Sequence, residues 1–524
     1  MPRALQFAGA HPRWTALLLG AASALGFEPF ALWPLTLLGM AGLIALIAAA
    51  PSRRQAAQLG WLFGLGQFSL GLNWIATAFT YQAAMPAWLG WVAVVGLSLY
   101  LAVYPALAAA AAWQARRRAA ALVLALAGAW ILAEWLRGWV FTGFPWNPLG
   151  VALLGPFETP GAARLAPWLG TYALSGLAVL FAGLWWHGLA TFRQDRRRLA
   201  LLALPLLAQF WPQAAPPATS PTRAPIPFAL VQPDIAQDVL NDPAMYEANF
   251  QRTARLSGQI VPGRGQLVLW PESGVPWYLA DGYPEQYYLD TYAADPRLAR
   301  QRIGRVIGKD SLLLTGGVDL EIAQGKAVGA RNSVTAIDGS GALRGSYDKA
   351  HLVPYGEYLP MRPLLTPLGL ARLVPGDIDF WPGPGPRTLD LGRWGKAGVQ
   401  ICYEIIFSGA VADRGHRPDY IFNPSNDGWF GTWGPPQHLA QARLRALEEG
   451  LPVLRATTTG ISAVIDADGK VLQSIPPRHA GVVLGAIPAA HAPTLFARWG
   501  NLLALSWATV LLCLSVVASR RRTG

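Results

Sequence analysis

The chain opens with apolar runs separated by short polar breaks, and this pattern persists through the first 213 of its 524 residues. The run over residues 15–50 is too long for one membrane span of about 20 residues. It breaks at Gly26, Glu28 and Pro29, so it reads as two short helices, 15–27 and 32–50. Further runs at 57–80, 87–112, 119–138, 166–187 and 199–213, with a last one at 499–518, bring the expected spans to eight. A cleaved leader competes for the first run. It is disfavoured because no polar cleavage region follows and a second apolar run begins at once.

From residue 228 the pattern changes. Short β-branched or apolar runs (228–232, 267–270, 312–317, 333–337, 397–401, 420–423, 453–457, 462–465) alternate with helical stretches. The clearest helices are 246–257, 285–307 with a break at Pro296, and 437–449. Strands alternating with helices predict an α/β domain. The expected organisation is therefore a helical part (1–213), a Pro-rich extended linker (214–227), the α/β domain (228–490), and a last helix with its tail (491–524). Two stretches are unusually apolar or aromatic, 277–288 and 358–373. Each either dips into a membrane interface or packs on the domain itself.

Composition supports the membrane reading: 53% of residues are hydrophobic and 14% charged, with a mean hydropathy of +0.29. The net charge of +12 would suggest nucleic acid if it covered a soluble surface. It does not. Between Arg223 and Arg478, 25 Lys/Arg face 26 Asp/Glu, leaving 17 basic and 4 acidic residues in the apolar ends. Most of those basic residues (Arg3, Arg13, Arg53, Arg54, Arg116 to Arg118, Arg193, Arg196 to Arg198, Arg520 to Arg522) fall on alternate loops and both termini, and the other short loops carry little beyond Glu28, Arg137, Glu158 and Arg164. Lys/Arg-rich loops stay cytoplasmic. Both termini are thus expected in the cytoplasm and the α/β domain on the far side, the periplasm of a bacterial inner membrane, with no nucleic-acid partner. The two cysteines, Cys402 and Cys513, lie in unlike environments, and no disulfide is expected.

Cys402 closes the 397–401 run and is followed by Tyr403 and Glu404. Alone it reads most simply as a core cysteine. Glu272 alone reads as a turn residue after 267–270, and Lys349 as a solvated loop charge. Together they supply a nucleophile, a carboxylate to take its proton and a cation to hold an oxyanion, the three roles of acyl transfer. Asn423, Asn426 and Trp429 either line a pocket or serve turn chemistry, and Trp277 is a further candidate for substrate contact. Glu134 and Arg137 lie three apart on one expected span, as a functional or a topology-fixing pair. His351 and His438 lack ligand spacing, so neither a metal nor another cofactor is expected.

The segments around Glu272, Lys349 and Cys402 resemble the nitrilase superfamily with its Glu–Lys–Cys triad. With spans on both sides, the chain resembles the apolipoprotein N-acyltransferase family. The matching motifs are Thr-Gly-Phe-Pro-Trp at 142–146, Trp-Pro-Glu-Ser-Gly at 270–274, and Asp-Lys-Ala-His-Leu-Val-Pro-Tyr-Gly-Glu-Tyr at 348–358. They continue with Ile-Cys-Tyr-Glu at 401–404, Asn-Pro-Ser-Asn-Asp-Gly-Trp-Phe-Gly at 423–431 and Arg-Ala-Thr-Thr-Thr-Gly-Ile at 455–461.

This resemblance implies eight membrane helices plus an αββα sandwich. It implies that Cys402 takes an acyl chain from a phospholipid, phosphatidylethanolamine, as a thioester. Glu272 would be the base, Lys349 with the Tyr403 N–H would hold the oxyanion, and Glu357 would orient Lys349, with Tyr403 and Glu404 in support. The acceptor would be the N-terminal amine of an S-diacylglyceryl-cysteine apolipoprotein, and the enzyme a monomer. One departure stands out. The family pattern carries a Trp in the turn after the first soluble strand, where 231–242 has none and Asn241 stands about in its place. The alternatives are a membrane-tethered amidase that releases acyl groups to water, and a lipid-binding scaffold without catalysis.

Overall fold

The computed structural model describes residues 10–81, 86–211, 225–258, 265–368 and 378–520. Most of the expected linker, Arg3, Arg521, Arg522 and the end of the 358–373 stretch lie outside the described residues. The first part is helical: α1 (Pro12–Ala24), α2 (Trp33–Ala49), α3 (Arg53–Gly71), α4 (Leu89–Leu101), α5 (Val103–Ala112), α6 (Ala119–Arg137), α7 (Ala166–Thr191) and α8 (Ala203–Phe210). Among the described residues, four helical stretches are long and apolar enough to cross a membrane: Leu89–Ala115, Ala119–Arg137, Gly161–Thr191 and Asn501–Arg520. Trp33–Ala49 is apolar but shorter.

Two expected runs are built differently. The 57–80 run leaves the helix at Gly71, where Asn73 Nδ2 donates to Leu70 O at 2.8 Å and competes with the helical ladder. The 199–213 run divides into a 3-10 stretch, Arg196–Leu202, and the short α8. Asp195 starts that stretch by accepting from Arg197 N at 3.0 Å. The helices pack through small residues. A Cβ on Gly20 would lie 1.9 Å from Phe63 O, and one on Gly66 would lie 2.1 Å from Leu17 O, so α1 and α3 cross at backbone contact.

The second part holds two six-stranded sheets. The strands are β1 (Pro227–Gln232), β2 (Leu267–Leu269), β3 (Leu312–Ala323), β4 (Lys326–Asp338), β5 (Leu343–Asp348), β6 (Thr388–Asp390), β7 (Lys396–Val399), β8 (Tyr420–Ser425), β9 (Val453–Thr457), β10 (Ser462–Ile465), β11 (Val471–Ile475) and β12 (Gly481–Ala486). One sheet runs β12-β1-β2-β3-β4-β5 and the other β11-β10-β9-β8-β7-β6. In each, three parallel strands (β1–β3, β7–β9) are flanked by antiparallel ones.

Parallel strands are buried on both faces, and the two-residue period decides which side chain meets which layer. Leu230, Leu269 and Leu314 join Val399, Phe422 and Leu454 of the other sheet in one core. Val231, Val268 and Leu313 face the other way, onto Phe250 of α9 (Tyr246–Ser257) and Ile303 of α10 (Pro296–Ile307). The 285–307 run is α-helical only from Pro296, after two short 3-10 turns, Glu285–Tyr288 and Tyr292–Ala294. Asp295 caps it, accepting from Arg297 N at 2.7 Å, and the proline takes the first helical position.

The aromatic stretch 277–288 packs on its own domain. The Tyr283 and Tyr287 hydroxyls accept from Leu320 N (2.9 Å) and Ala327 N (2.7 Å) on the β3–β4 hairpin.

Helix α11 (Gly434–Glu449) is buried almost throughout, although it carries Gln437, His438, Gln441, Arg443, Arg445, Glu448 and Glu449. Its polar groups serve both parts of the molecule. Gln437 accepts from Trp146 Nε1 at 2.8 Å and donates to Glu28 O at 3.0 Å. Arg443 donates to Gly155 O, Pro156 O and Thr159 O at 2.7–3.0 Å. On the α/β side, Arg445 donates to Ile406 O at 3.0 Å, and Glu448 accepts from Ser408 Oγ at 2.7 Å. The chain then returns through α12 (Leu495–Trp499) to α13 (Asn501–Arg520), which packs on α6 and α7.

Candidate active site

Three chain segments converge at strand ends. Glu272 follows β2 in a turn whose next residue, Ser273, has φ +56°. Its Oε1 accepts from Asn332 Nδ2 at 2.7 Å and its Oε2 from Asn426 N at 2.8 Å. Lys349 follows β5 and is 1% exposed. Its Nζ lies 2.9 Å from Glu357 Oε1 and 3.6 Å from Glu272 Oε1. Glu357 also accepts from Asn332 Nδ2 (2.8 Å) and Val353 N (2.7 Å). One ammonium thus stands between two carboxylates, and one Asn amide bridges the same pair.

Cys402 lies beyond the end of β7, which stops at Val399, and it opens a short 3-10 turn, Cys402–Ile406. The expectation of a cysteine at a strand end needs this correction. Polar side chains take the local acceptors: Gln400 Nε2 donates to Val399 O at 2.8 Å, and Asn423 Nδ2 to Gln400 O at 2.6 Å. The buried Cys402 thiol is pushed well above its ordinary pKa by burial and then by the Glu272 charge, with Lys349 and the Asn426 N–H opposing. Burial alone would lower the Lys349 pKa, but Glu357 and Glu272 outweigh it and hold the ammonium charged.

The supporting residues have definite places. Glu404 Oε1 accepts from Tyr347 Oη (2.9 Å), Ala350 N (2.7 Å) and His351 N (3.1 Å), and its Oε2 from Ile401 N (2.8 Å). It therefore ties the cysteine turn to the lysine segment. Burial pushes its pKa up to about 7 against those donors. Tyr403 Oη donates to Gly143 O at 3.1 Å, joining the same turn to the 142–146 segment. Arg137 NH1 holds that segment from the helical side through Phe144 O (2.9 Å) and Trp146 O (2.8 Å).

The other candidates divide. Asn426 belongs to the cluster through its N–H, while its side chain bonds Gln237 (2.7 Å) and Thr458 (2.8 Å). Asn423 is a structural tie between Gln400 O and Arg455. Trp429 packs edge-on against Tyr81, with ring centroids 5.7 Å apart. Trp277 is 4% exposed and packs on Phe250 at 4.8 Å in the outer helix layer, so its place is in packing rather than in the cluster. Asn241 is exposed after a short helical turn, Gln237–Leu240, and Gln237 is the residue of that turn that reaches the site loop.

Asn332 was not singled out from the sequence. An Asn preceding the 333–337 run carries no signal distinct from turn chemistry. Cys402, Asp427 and His438 place ligand-type atoms within 4.8 Å of one another. Arg455 already neutralises Asp427, at 2.7 and 2.8 Å, and both His438 ring nitrogens have partners. That donor set suits hydrogen bonding better than a cation.

The close fit around Glu272 gives a sharp test. A Cβ on Gly316 would lie 2.6 Å from Glu272 Cα and 2.9 Å from both Pro271 O and Ser273 N, whereas at Gly317 the nearest atom is a Val275 methyl at 3.5 Å. Gly316→Ala is expected to displace the Glu272 turn and lower turnover about 100-fold, with a stability loss of about 1–3 kcal/mol. Gly317→Ala should leave both near native values. Turnover and thermal unfolding of the two variants check this.

Family models match both parts of the chain. Residues 19–212 match the family model of the apolipoprotein N-acyltransferase N-terminal domain, and residues 228–493 match that of carbon-nitrogen hydrolase. Apolipoprotein N-acyltransferase of Rhodopseudomonas palustris is 36% identical, covering 97% of this chain and 95% of the relative. That of Bradyrhizobium diazoefficiens is 38% identical, covering 97% and 94%. Among solved structures, Saccharomyces cerevisiae Nit3, a member of branch 10 of the nitrilase superfamily, shares 21% identity. It covers 52% of this chain and 93% of its own, with a TM-score of 0.37.

Proposed function

Because the chain belongs to the apolipoprotein N-acyltransferase family, we propose that Cys402 carries the acyl group it transfers and that Glu272 and Lys349 drive both half-reactions. The enzyme N-acylates lipoproteins with an acyl chain from phospholipid. The observation that carries the residue assignment is the buried ammonium shared by Glu357 and Glu272 beside the cysteine turn.

In the first half-reaction the Cys402 sulfur attacks the ester carbonyl while Glu272 takes the thiol proton. Lys349 Nζ, with the Tyr403 N–H, faces the negative oxygen that develops. The C–O bond breaks, Glu272 returns the proton to the departing lysophospholipid alcohol, and a thioester remains. In the second, the N-terminal amine of an S-diacylglyceryl-cysteine attacks that thioester. Glu272 takes the amine proton and returns it to the thiolate that leaves, giving an amide and the free thiol. No cofactor enters either step. Two transfers through one thiol make the kinetics ping-pong.

Glu357 orients Lys349, and Glu404 and Tyr403 brace the turn. We read the enzyme as a monomer. The donor is assigned as phosphatidylethanolamine. We further read eight spans in a bacterial inner membrane, with both termini cytoplasmic and the domain from 228 to 490 periplasmic. The arginines of alternate loops and termini support this orientation.

The test is to incubate the enzyme with phosphatidylethanolamine of defined chains and map the adduct by peptide mass spectrometry, then add a diacylglyceryl lipopeptide. The acyl mass should sit on Cys402 and pass to the lipopeptide amine. An adduct elsewhere, or none, would overturn the assignment. Discharge to water at an unchanged rate would favour the amidase.

A further inference from the structure

The cysteine turn has a backbone conformation that an L residue resists. Cys402 has φ +49°, in the left-handed region, where the Cβ crowds the following carbonyl. Such a residue persists where its surroundings over-determine it. On the N-terminal side, Glu404 reaches back to Ile401 N. On the C-terminal side, the Cys402 carbonyl oxygen lies 3.0 Å from His438 Nε2.

His438 is fully buried on α11, between the rings of Trp146 and Phe430 at centroid distances of 5.3 and 5.6 Å. Its Nδ1 lies 3.0 Å from both Asp427 Oδ1 and Arg455 NH2. Asp427 and Arg455 neutralise each other through contacts of 2.7 and 2.8 Å. A carbonyl oxygen can only accept, so Nε2 carries the proton. Nδ1 then presents its lone pair to the Arg455 N–H. Burial, then the Arg455 charge, keeps the imidazole neutral by pushing its pKa down.

This group resembles a Cys–His–Asp relay in composition but not in wiring. The imidazole proton points at the cysteine's backbone oxygen, and the reaction route gives the thiol proton to Glu272. We propose that His438 is a positioning residue whose Nε2–H fixes the Cys402 carbonyl, and with it the left-handed turn that aims the sulfur at Glu272 and Lys349, while the Arg455 N–H donated to Nδ1 fixes the ring's tautomer. This rests on Cys402 being the acyl carrier.

The experiment measures the rate of Cys402 acylation at several phospholipid concentrations and pH values, by peptide mass spectrometry of the full-length enzyme. His438→Phe keeps a buried ring without the donor. It should acylate about 100-fold more slowly at saturation with unchanged half-saturation, as expected of a misplaced nucleophile. His438→Gln places an amide N–H near the Nε2 position. It should recover the rate to within about tenfold of native, with the native pH profile, because the imidazole does not take the thiol proton.

Native rates in His438→Phe would overturn the inference. So would a folded His438→Gln, with native thermal midpoint, that stays about 100-fold slow or loses the native pH profile, since the hydrogen bond would then not be the function. If His438→Phe does not fold, His438→Gln decides alone by the same criteria. Failure of the underlying reading looks different: the native enzyme would gain no acyl mass on Cys402.

Discussion

Glu272→Gln is expected to make Cys402 more reactive toward an alkylating agent while turnover falls by about 100- to 10,000-fold. The site explains why these effects part. The Lys349 ammonium stands between Glu272 and Glu357, so the resting cluster already carries one excess negative charge. A thiolate would add another; burial first, and then the Glu272 charge, hold the thiol well above its ordinary pKa. Removing the Glu272 charge leaves one cation, one carboxylate and the thiol. The thiol pKa should then drop, because a close like charge has been lost. At pH 7–8 more thiolate is present, and iodoacetamide should label Cys402 faster than in the native enzyme. The acyl reaction gains nothing from this, because the proton of the incoming amine has no base to receive it. Labelling rates from mapped peptides and lipopeptide turnover check the two halves. Slower labelling in Glu272→Gln would mean that Glu272 raises thiolate reactivity, contrary to this charge balance.

Lys349→Met should cost both activity and stability. Losing one charged donor to an oxyanion lowers turnover by about 100- to 1,000-fold. Glu272 and Glu357 would remain buried, sharing the Asn332 amide, with no cation. Breaking a buried pair from one side costs about 3–5 kcal/mol. The charge strain is relieved when one carboxylate takes a proton, so its folded pKa rises above the ordinary carboxylate value of about 4.3. A group raised in this way adds stability below its unfolded pKa and loses it as pH rises through the folded one. The gap in thermal midpoint between variant and native enzyme should therefore be small near pH 4–5 and widest near pH 8. A gap that does not change with pH would count against uncompensated carboxylates as its source.

Much of this was legible because the reactive residues sit in short contiguous motifs at strand ends. Glu272 after β2 and Cys402 past β7 could be read from apolar runs followed by one chemically distinct residue, whereas Lys349 was legible only as a loop residue in its motif, because β5 is largely polar and exposed. The apolar runs likewise located most of the helices, but not where the 57–80 and 199–213 runs leave the α-helix. What was not legible depends on contacts across hundreds of residues. Asn332 matters because β4 carries it between two carboxylates that are far away in sequence. The strands β3 and β4 extend well past 317 and before 333 because Asp319, Glu321 and Arg331 belong to a partly exposed hairpin, whose polar alternation weakens the apolar signal. Asn423 and Trp277 have the residue types of a binding pocket. Their places were decided by a buried arginine and by a neighbouring phenylalanine.

Helix α11 has a consequence for how the molecule can be taken apart. The two family matches, 19–212 and 228–493, invite cutting the chain between them. Yet Arg443 and Gln437 on the C-terminal side satisfy backbone oxygens of residues 28, 155, 156 and 159, while His438 and Arg445 on the same helix hold the cysteine turn. A water-soluble fragment starting at 228 would face solvent with a helix whose apolar and polar groups were matched to a missing neighbour. Its thiol would lose orientation before the sheets lost their fold. For inhibitor discovery, such a fragment is the wrong target: compounds selected on it would meet a site that the intact enzyme does not present.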